Sequence, residues 1–134
     1  MEHDIQLNAA IIGLGVGERH ILGYEADPRC QVTALCDIDE NKLHEVSQRN
    51  LGCRLSTDPN DILEDPTIDV VSIASYDDAH RDQVIKAIEN GKHIFVEKPL
   101  CLNQQEFEDI SGALKAHENI RLSSNLILRR TPRF

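Results

Sequence analysis

The hydrophobic positions of the chain fall into short runs separated by segments with helical spacing. Short apolar runs bounded by turn residues predict β-strands, and the segments between them predict helices. We predict six strands, over residues 7–12, 31–36, 54–56, 70–74, 93–96 and 121–126. Strands that alternate with helices are typical of β-α-β units, in which a parallel sheet is covered on both faces.

The segments between the strands carry residues that mark helix ends. Asp58 before Pro59 is typical of an N-cap and a first helical residue, and Asn103 with Glu106 is typical of a capping box. Gly91 indicates a left-handed stop before the fifth strand. With right-handed crossovers, this order predicts an α/β fold: a Rossmann doubly wound, mainly parallel six-stranded sheet with helices on both faces. The ligand crevice of such a sheet lies at the carboxyl ends of its strands.

The composition is that of a globular domain with an acidic surface. Of its 134 residues 40% are hydrophobic, and 14 Lys and Arg against 23 Asp and Glu give a net charge of -9. This charge repels nucleic acids and anionic membranes, so we predict neither as a partner. The N-terminus lacks the features of a signal peptide and no run is long enough to span a membrane, which predicts a cytoplasmic protein.

The cysteines and histidines are scattered. Four cysteines and six histidines show no spacing typical of a metal site, so we expect no metal ion. We interpret Cys30, Cys36, Cys53 and Cys101 as free thiols. Free thiols suit a reducing compartment, in agreement with the predicted location.

A glycine-rich segment, residues 13–17 (GLGVG), joins the first predicted strand to the following helix. Gly13 permits a sharp turn, Gly15 permits close approach of a pyrophosphate, and Gly17 permits close packing of helix and strand. Free N–H groups at the helix start would then attract the anion. The usual spacing G-x-G-x-x-G places the third glycine at position 18, where this chain has Glu18. The loop by itself therefore leaves a mere packing turn as the alternative.

Asp37 lies directly at the end of the second predicted strand, following its last residue, and is 22 residues after Gly15. A carboxylate at this place can accept hydrogen bonds from both hydroxyls of an adenosine ribose. The alternative is a loop aspartate that caps the helix beginning near Asp39. The carboxylate would repel the 2′-phosphate of NADP, and no arginine follows it in the sequence, which favours NAD over NADP as the cofactor.

One other ligand class shares these features. S-adenosylmethionine-dependent methyltransferases use a glycine loop of the same spacing and an acidic residue after the second strand. Their loop usually has an acidic residue two positions before the first glycine, where this chain has Ile11. A dinucleotide therefore fits the loop better, and a later motif separates the two classes.

That motif lies in the segment NGKHIFVEKPL, residues 90–100, which carries the fifth strand into Glu97, Lys98 and Pro99. A proline favours extended backbone at the residue before it. The ammonium of Lys98 would thus be presented over the crevice at the strand end.

Together with the glycine loop, the Glu-Lys-Pro motif resembles the glucose-fructose oxidoreductase/inositol dehydrogenase/MocA (Gfo/Idh/MocA) family of NAD(P)-dependent oxidoreductases. Asp37, His80 after the fourth strand and Asn125 near the end of the sixth strand also match. The resemblance covers nearly the whole chain. It implies a Rossmann domain that binds NAD.

The resemblance also implies roles for individual residues. Lys98 looks like the active-site lysine of the family, beside the nicotinamide, where it would polarise the oxygen that takes part in hydride transfer. The implied cofactor contacts are Gly13, Leu14, Gly15, Val16 and Gly17 at the pyrophosphate, Asp37 and Ile38 at the adenine ribose, Ser75, Tyr76 and His80 at the middle, and Glu97, Lys98 and Asn125 at the nicotinamide end. Where the family commonly has Thr-Pro-Asn after the fourth strand, this chain has Ser75, Tyr76 and Asp77. Asp77 would add a negative charge near the diphosphate, so it is not among the implied contacts.

His20 clarifies the spacing of the loop. In the family the histidine after the loop is the ninth residue counted from the first glycine, whereas His20 is the eighth. We therefore interpret the loop as one residue shorter, with Gly17 as its third glycine. Glu18 then belongs to the first helical turn, where its charge suits the helix dipole but has to point away from the pyrophosphate.

The resemblance finally implies a second domain. Family members are longer and have a C-terminal α+β domain with the substrate pocket, the general base and much of the oligomer interface. We interpret residues 1–128 as the NAD(P)-binding domain and residues 129–134 as the start of a hinge to a substrate domain that this chain lacks. The expected enzyme is a homo-oligomeric dehydrogenase for a sugar, nucleotide sugar or polyol, and the chain alone is expected to bind cofactor without turnover. The alternative is a non-catalytic NAD-binding module or sensor, which would not need Lys98.

Overall fold

The computed structural model describes residues 5–125. The strands in this range are β1 (Leu7–Ile12), β2 (Cys30–Cys36), β3 (Arg54–Ser56), β4 (Val70–Ile73), β5 (His93–Val96) and β6 (Leu122–Ser124). The helices are α1 (Glu18–Glu25), α2 (Glu40–Ser47), α3 (Pro59–Leu63), α4 (His80–Glu89) and α5 (Gln104–Ala116), with a 3-10 turn (Asp77–Ala79) before α4.

The strands form one sheet in the order β3-β2-β1-β4-β5-β6, and all neighbouring pairs are parallel. The chain starts at the centre of the sheet, runs to one edge, returns through α3 to the centre and continues to the other edge. This is the doubly wound Rossmann order, so the predicted fold class is confirmed. The carboxyl ends of β1 and β4 lie side by side where the direction of winding reverses, which is where such sheets bind ligands.

The predicted strand limits agree closely with the structure. The first, third and fifth strands have the predicted bounds, the second begins one residue earlier at Cys30, and the fourth ends one residue earlier at Ile73. The sixth strand is shorter than predicted: the Arg121 N–H donates to His93 Nδ1 at 3.0 Å, and β6 begins only at Leu122. The predicted end of this strand, at residue 126, and the predicted hinge lie outside the described residues.

The helix ends follow the predicted capping. The Asp58 side chain accepts from the N–H of Asn60, and Asn103 Oδ1 accepts from the Glu106 N–H at 2.9 Å. The Glu106 carboxylate accepts in return from the N–H of Leu102, one residue before the cap, at 2.8 Å. Gly91 has a φ of +76°, the left-handed conformation predicted for it.

A hydrophobic core lies on each face of the sheet. Between the sheet and α3, α4 and α5, the fully buried side chains include Ile12, Val71, Ile73, Ile88 and Ile110. Between the sheet and α1 and α2, they include Ile11, Leu14, Leu35 and Val46. Neighbouring strand residues point to opposite faces, so both faces are apolar and the strands read as continuous hydrophobic runs.

Three further observations bear on the sequence-based expectations. No helix within residues 5–125 combines the length and apolar character needed to cross a membrane. Over the same range, no group of three or more metal-binding side chains comes together. All four cysteines are free, and burial raises the pKa of the Cys36 thiol to about 12, so Cys36 is a protonated core residue at neutral pH.

Candidate functional site

The sequence-predicted residues converge on the carboxyl edge of the sheet. The glycine turn follows β1, Asp37 follows β2, Ser75 and Tyr76 follow β4, and Lys98 follows β5. Because the strands are parallel, all these segments leave the sheet at the same edge. Asn125, directly after β6, belongs to the same edge and pairs through its N–H with the Val96 carbonyl at 3.0 Å.

Gly13 makes the sharp turn at the end of β1. Its φ is +91°, and a Cβ at this position would lie 2.4 Å from the carbonyl oxygen of Ala74. Its N–H donates to the Cys36 carbonyl at 2.9 Å, which ties the turn to β2. Both the left-handed backbone and the contact with the β4 end therefore require glycine.

Gly15 faces open space. A Cβ added there would meet no atom within 4 Å, and both Gly15 and Val16 are exposed. The N–H groups of Gly15, Val16 and Gly17 make no hydrogen bond to the described residues. These unpaired donors precede the eight-residue helix α1, the arrangement in which a helix start attracts an anion.

Gly17 is the third glycine of the turn. A Cβ there would lie 1.9 Å from the Gly13 carbonyl oxygen and 2.9 Å from Ile11 Cγ2, so only glycine allows the helix to approach the strand this closely. Glu18 is the first residue of α1, and its Oε2 lies 2.7 Å from Nε of Arg49, two residues after the end of α2. The hydrogen bond from Arg49 lowers the pKa of Glu18. Gly17 thus takes the packing position predicted for the third glycine, and Glu18 lies in the first turn of α1, as predicted.

The Asp37 carboxylate supports the glycine turn. Its Oδ2 accepts from the Leu14 N–H at 2.8 Å, and its Oδ1 accepts from the Asp39 N–H at 2.8 Å. Asp39 is the N-cap of α2, so the alternative that Asp37 caps this helix is wrong. Each carboxylate oxygen has a second acceptor site, which leaves Asp37 able to accept from a ligand. The Leu14 N–H, in contrast, is already paired with Asp37.

A cleft of ≈ 300 Å³ opens above the turn. It adjoins a narrower, mainly apolar slot of ≈ 140 Å³, which reaches Pro59 and Gln83. Of the predicted contacts, the cleft or the slot is lined by Gly13, Leu14, Gly15, Asp37, Ile38, Ser75 and Tyr76. Ile38 and Tyr76 are 64% and 73% exposed, so their apolar surfaces are open to a ligand.

Lys42 also lines this cleft and was missed by the sequence reasoning. That reasoning considered only the residues directly after Asp37, whereas Lys42 reaches the cleft from the first turn of α2. Its N–H donates to the Asp39 side chain at 3.2 Å. The capping pattern at Asp39 was the available signal, since it places Lys42 three residues into the turn that faces the cleft.

His80 is buried between two loops. Its Nδ1 lies 2.7 Å from the Pro99 carbonyl oxygen and its Nε2 lies 3.0 Å from the Ser75 carbonyl oxygen, and the residue is 1% exposed. Both ring nitrogens therefore face protein atoms and neither is open to a ligand. His80 joins the loop after β4 to the loop after β5.

Glu97 forms a polar cluster with His20 and Asn125. Its Oε1 lies 2.7 Å from His20 Nε2, and both its oxygens accept from Asn125 Nδ2, at 3.1 and 3.0 Å. The side chains of His20 and Glu97 are only 10% and 12% exposed. Sequence reasoning used His20 only as a marker of loop spacing and gave no sign of this contact. Lys98, the next residue, has an exposed side chain and is joined to Pro99 by a cis peptide bond.

A family model described as an oxidoreductase family with an NAD-binding Rossmann fold (Gfo/Idh/MocA) matches residues 7–125. The chain is 40% identical over 118 residues to scyllo-inositol 2-dehydrogenase (NAD(+)) of Bacillus subtilis strain 168, covering 86% of this chain and 34% of that protein. The chain thus spans about a third of the length of the curated relatives it matches.

Two solved structures share the fold. Myo-inositol 2-dehydrogenase from Lactobacillus plantarum has a TM-score of 0.84 at 32% identity, over 95% of this chain and 38% of that one. Scyllo-inositol dehydrogenase from Lactobacillus casei, solved with NAD(H) and scyllo-inositol, has a TM-score of 0.85 at 23% identity, over 95% of this chain and 38% of that one. The second likeness, at this identity, concerns the fold alone.

Proposed function

The chain belongs to the Gfo/Idh/MocA oxidoreductase family, and on this premise we propose that it is the dinucleotide-binding domain of an NAD-dependent oxidoreductase. The whole enzyme transfers hydride between the nicotinamide and a hydroxyl or carbonyl carbon of a sugar, nucleotide sugar or polyol. The observation that carries the proposal is the cleft above the glycine turn. It is lined by the open Gly15 backbone and by Asp37, and it adjoins the apolar slot. The relatives named as inositol dehydrogenases favour a cyclic polyol among these substrate classes.

The glycine turn suits a pyrophosphate. Gly15 leaves space where any side chain would stand in the way, and the N–H groups of Gly15, Val16 and Gly17 are free of hydrogen bonds to the described residues. The start of α1 adds the positive end of a helix dipole. In a chain with a net charge of -9, this local geometry supplies the attraction that the overall charge does not.

The neighbouring slot suits an adenosine. Its lining residues Ile38 and Tyr76 offer exposed apolar surface for a flat ring. Asp37 lines both the slot and the cleft above the glycine turn, so it lies where the two join. In this arrangement the free acceptor sites of Asp37 receive the ribose hydroxyls. Ser75, whose Oγ donates to Gln83 Oε1 at 2.6 Å, supports the floor of the slot.

Lys98 serves the chemical step. When bound, nicotinamide supplies the carbon that accepts or gives up the hydride. The exposed Lys98 side chain, at the carboxyl end of β5, donates a hydrogen bond to the substrate oxygen and stabilises the negative charge that develops there. Asn125, which shares this edge of the sheet, contributes to the nicotinamide end of the site.

The preference for NAD over NADP rests on two opposing side chains. Asp37 repels a 2′-phosphate, whereas Lys42 on the same cleft attracts it. Asp37 lies directly at the end of β2 and Lys42 lies a turn further along α2, so we propose that Asp37 dominates. In a Lys42→Ala variant the affinity for NADP should fall more than the affinity for NAD.

Calorimetric titration of the chain with NAD, NADP and S-adenosylmethionine tests the proposal. We expect NAD to bind, NADP to bind more weakly, and S-adenosylmethionine not to bind. An Asp37→Asn substitution should weaken NAD binding about tenfold or more, because hydrogen bonds to a charged group contribute about 1.5–3 kcal/mol. The matched control is Asp27→Asn, which changes a carboxylate paired with Arg29 beyond the end of α1 and should leave NAD affinity unchanged.

Three outcomes would contradict parts of the proposed function. Tight binding of S-adenosylmethionine without NAD binding would contradict the assignment to an oxidoreductase. Equal loss of affinity in Asp37→Asn and Asp27→Asn would contradict the placement of the ribose. We further propose that the chain alone binds NAD without oxidising a polyol, and turnover of any polyol by the purified chain would refute that part.

A further inference from the structure

The Glu97 side chain is a buried carboxylate that requires partners. Its side chain is only 12% exposed, and a carboxylate withdrawn from water is stable only where donors replace the water. The structure supplies two donors, Nε2 of His20 at 2.7 Å and Nδ2 of Asn125 at 3.0 Å. Because a carboxylate only accepts, the His20 nitrogen that faces it carries a hydrogen.

The His20 ring is itself held in place. It comes from α1 and packs edge-on against Phe95, with ring centroids 5.0 Å apart at an angle of 75°. Phe95 and Glu97 are two residues apart and point to the same side of β5. The ring thus contacts both of them at once, and Glu97 has little freedom to turn.

The other side of the motif is fixed by a different histidine. His80 Nδ1 lies 2.7 Å from the Pro99 carbonyl oxygen, and the backbone N–H of Glu97 donates to the Ile73 carbonyl at 2.8 Å. The residues before and after Lys98 are therefore both anchored, while Lys98 itself is exposed.

We infer that His20 is a positioning residue for Lys98: through its hydrogen bond to Glu97 it fixes the direction in which the Lys98 ammonium is presented at the carboxyl end of β5, where the nicotinamide is proposed to bind. The inference rests on the proposed function. It assigns His20 no contact with substrate or cofactor, since its Nε2 is engaged by Glu97 and its Nδ1 is buried. It also explains why a histidine lies on α1 facing β5, a contact across 77 residues of sequence.

The relative affinity for the two redox forms of the cofactor reports on the position of Lys98. The nicotinamide ring carries a positive charge in NAD and none in NADH, so a nearby ammonium favours NADH. Two unit charges 4 Å apart in water interact by about 1 kcal/mol, which corresponds to about a fivefold change in the ratio of the two affinities. This readout needs neither a substrate nor a second domain.

The experiment titrates NAD and NADH into the chain and its variants. Lys98→Met should shift the affinity ratio about fivefold toward NAD. His20→Ala should shift it in the same direction, and His20→Ala combined with Lys98→Met should shift it no further than Lys98→Met alone, because both act through one charge. His20→Gln should restore the ratio, since its amide reaches the place of Nε2, whereas the shorter His20→Asn should not.

The matched control is His44→Gln, on the exposed face of α2. It should leave the ratio and both affinities unchanged. Should His20→Ala fail to fold, the comparison of His20→Gln with His20→Asn carries the test, provided that both melt within a few degrees of the parent chain.

Each contrary result has its own meaning. A ratio shifted by Lys98→Met but equal in His20→Gln, His20→Asn and the parent chain would overturn the positioning role and leave the proposed function intact. A ratio unmoved by Lys98→Met, with NAD still bound, would also overturn it, because Lys98 would then not lie beside the nicotinamide. Absence of any NAD binding by the parent chain would refute the proposed function and this inference with it.

Discussion

The two ends of β5 use the same residue type for opposite purposes. Lys92 precedes the strand and Lys98 follows it, within the single segment GKHIFVEKPL. Lys92 is 1% exposed, whereas Lys98 is exposed. One end of the strand is closed by protein and the other is left open, so under the proposed function stability and catalysis are served by opposite ends of β5.

Lys92 closes the amino end of the strand. Its ammonium donates to the carbonyl oxygens of Asp65 and, at 3.1 Å, of Ile68, and so fastens the loop between α3 and β4 to the start of β5. Burial lowers the pKa of Lys92, while the nearby carboxylates of Asp65 and Asp69 act in the opposite direction. All the strong contacts of this lysine are therefore internal.

At the carboxyl end the protein holds the surroundings and leaves the lysine free. Glu97 is bound by His20 and Asn125, and the Pro99 carbonyl is bound by His80. The glycine turn after β1 shows the same division, with Gly17 packed against the sheet and Gly15 open. Even at the open edge, then, particular residues serve the structure.

The largest effect is expected on substitution of Gly17 and Gly15, because one glycine packs against the sheet and the other faces the cleft. In Gly17→Ala the new Cβ would overlap the Gly13 carbonyl oxygen, so we expect a loss of about 3 kcal/mol or more in the free energy of unfolding. Gly15→Ala adds its Cβ to open space, so stability should change by less than about 0.5 kcal/mol while NAD affinity falls. Urea denaturation and calorimetric titration measure the two effects. Equal stability of both variants would break the assignment of Gly17 as the packing glycine.

Substitution of the two lysines tests the comparison directly. Lys92→Met removes the ammonium from both carbonyl groups; that of Asp65 keeps the N–H of Ile68 as a donor, whereas that of Ile68 loses its donor, which should cost about 2 kcal/mol of unfolding free energy. Lys98→Met should change stability by less than about 0.5 kcal/mol, because the side chain is exposed. A Lys92→Met variant as stable as the parent chain would show that the amino end does not depend on this lysine.

The smallest effect is expected for Glu18→Gln. Because the Arg49 hydrogen bond lowers the pKa of Glu18 below its ordinary 4.5, the pair stabilises the fold above that pH, and the contribution is lost as pH falls through the lowered pKa. The pair lies at the surface, so Glu18→Gln should lower the melting temperature by less than about 3 °C at pH 7. At pH 3 the parent and variant should melt closer together. NAD affinity should be unchanged, and a large gain in affinity would show that Glu18 faces the pyrophosphate.

Features that depend only on residues close together in the sequence were predictable from it. Strand periodicity gave the bounds of β1, β3 and β5, and the chemistry of Asp58 and Asn103 gave two helix starts. Counting from the first glycine to His20 identified Gly17 as the packing glycine, because the spacing of a turn is a local property.

Contacts between distant segments could not be predicted in this way. The pairing of His20 with Glu97 and the burial of His80 depend on how helices settle on the sheet, which no local pattern encodes. The cap at Asp39 places Lys42 in the first turn of α2, but it is the orientation of the helix on the sheet that turns Lys42 toward the cleft. Sequence reasoning thus located the edge that carries the site, but not which of its residues hold the others in place.

Amide hydrogen exchange of the chain with and without NAD tests the central claim most directly. Because exchange slows where a ligand covers or orders the backbone, we expect added protection at the carboxyl ends of the strands, over residues 13–17, 37–39 and 74–76. The amino end, at residues 65–69 and 92, should show no local change beyond the stabilisation of the whole domain by binding. Protection centred on the amino end, or absent from residues 13–17 at saturating NAD, would show that the dinucleotide does not bind at the glycine turn.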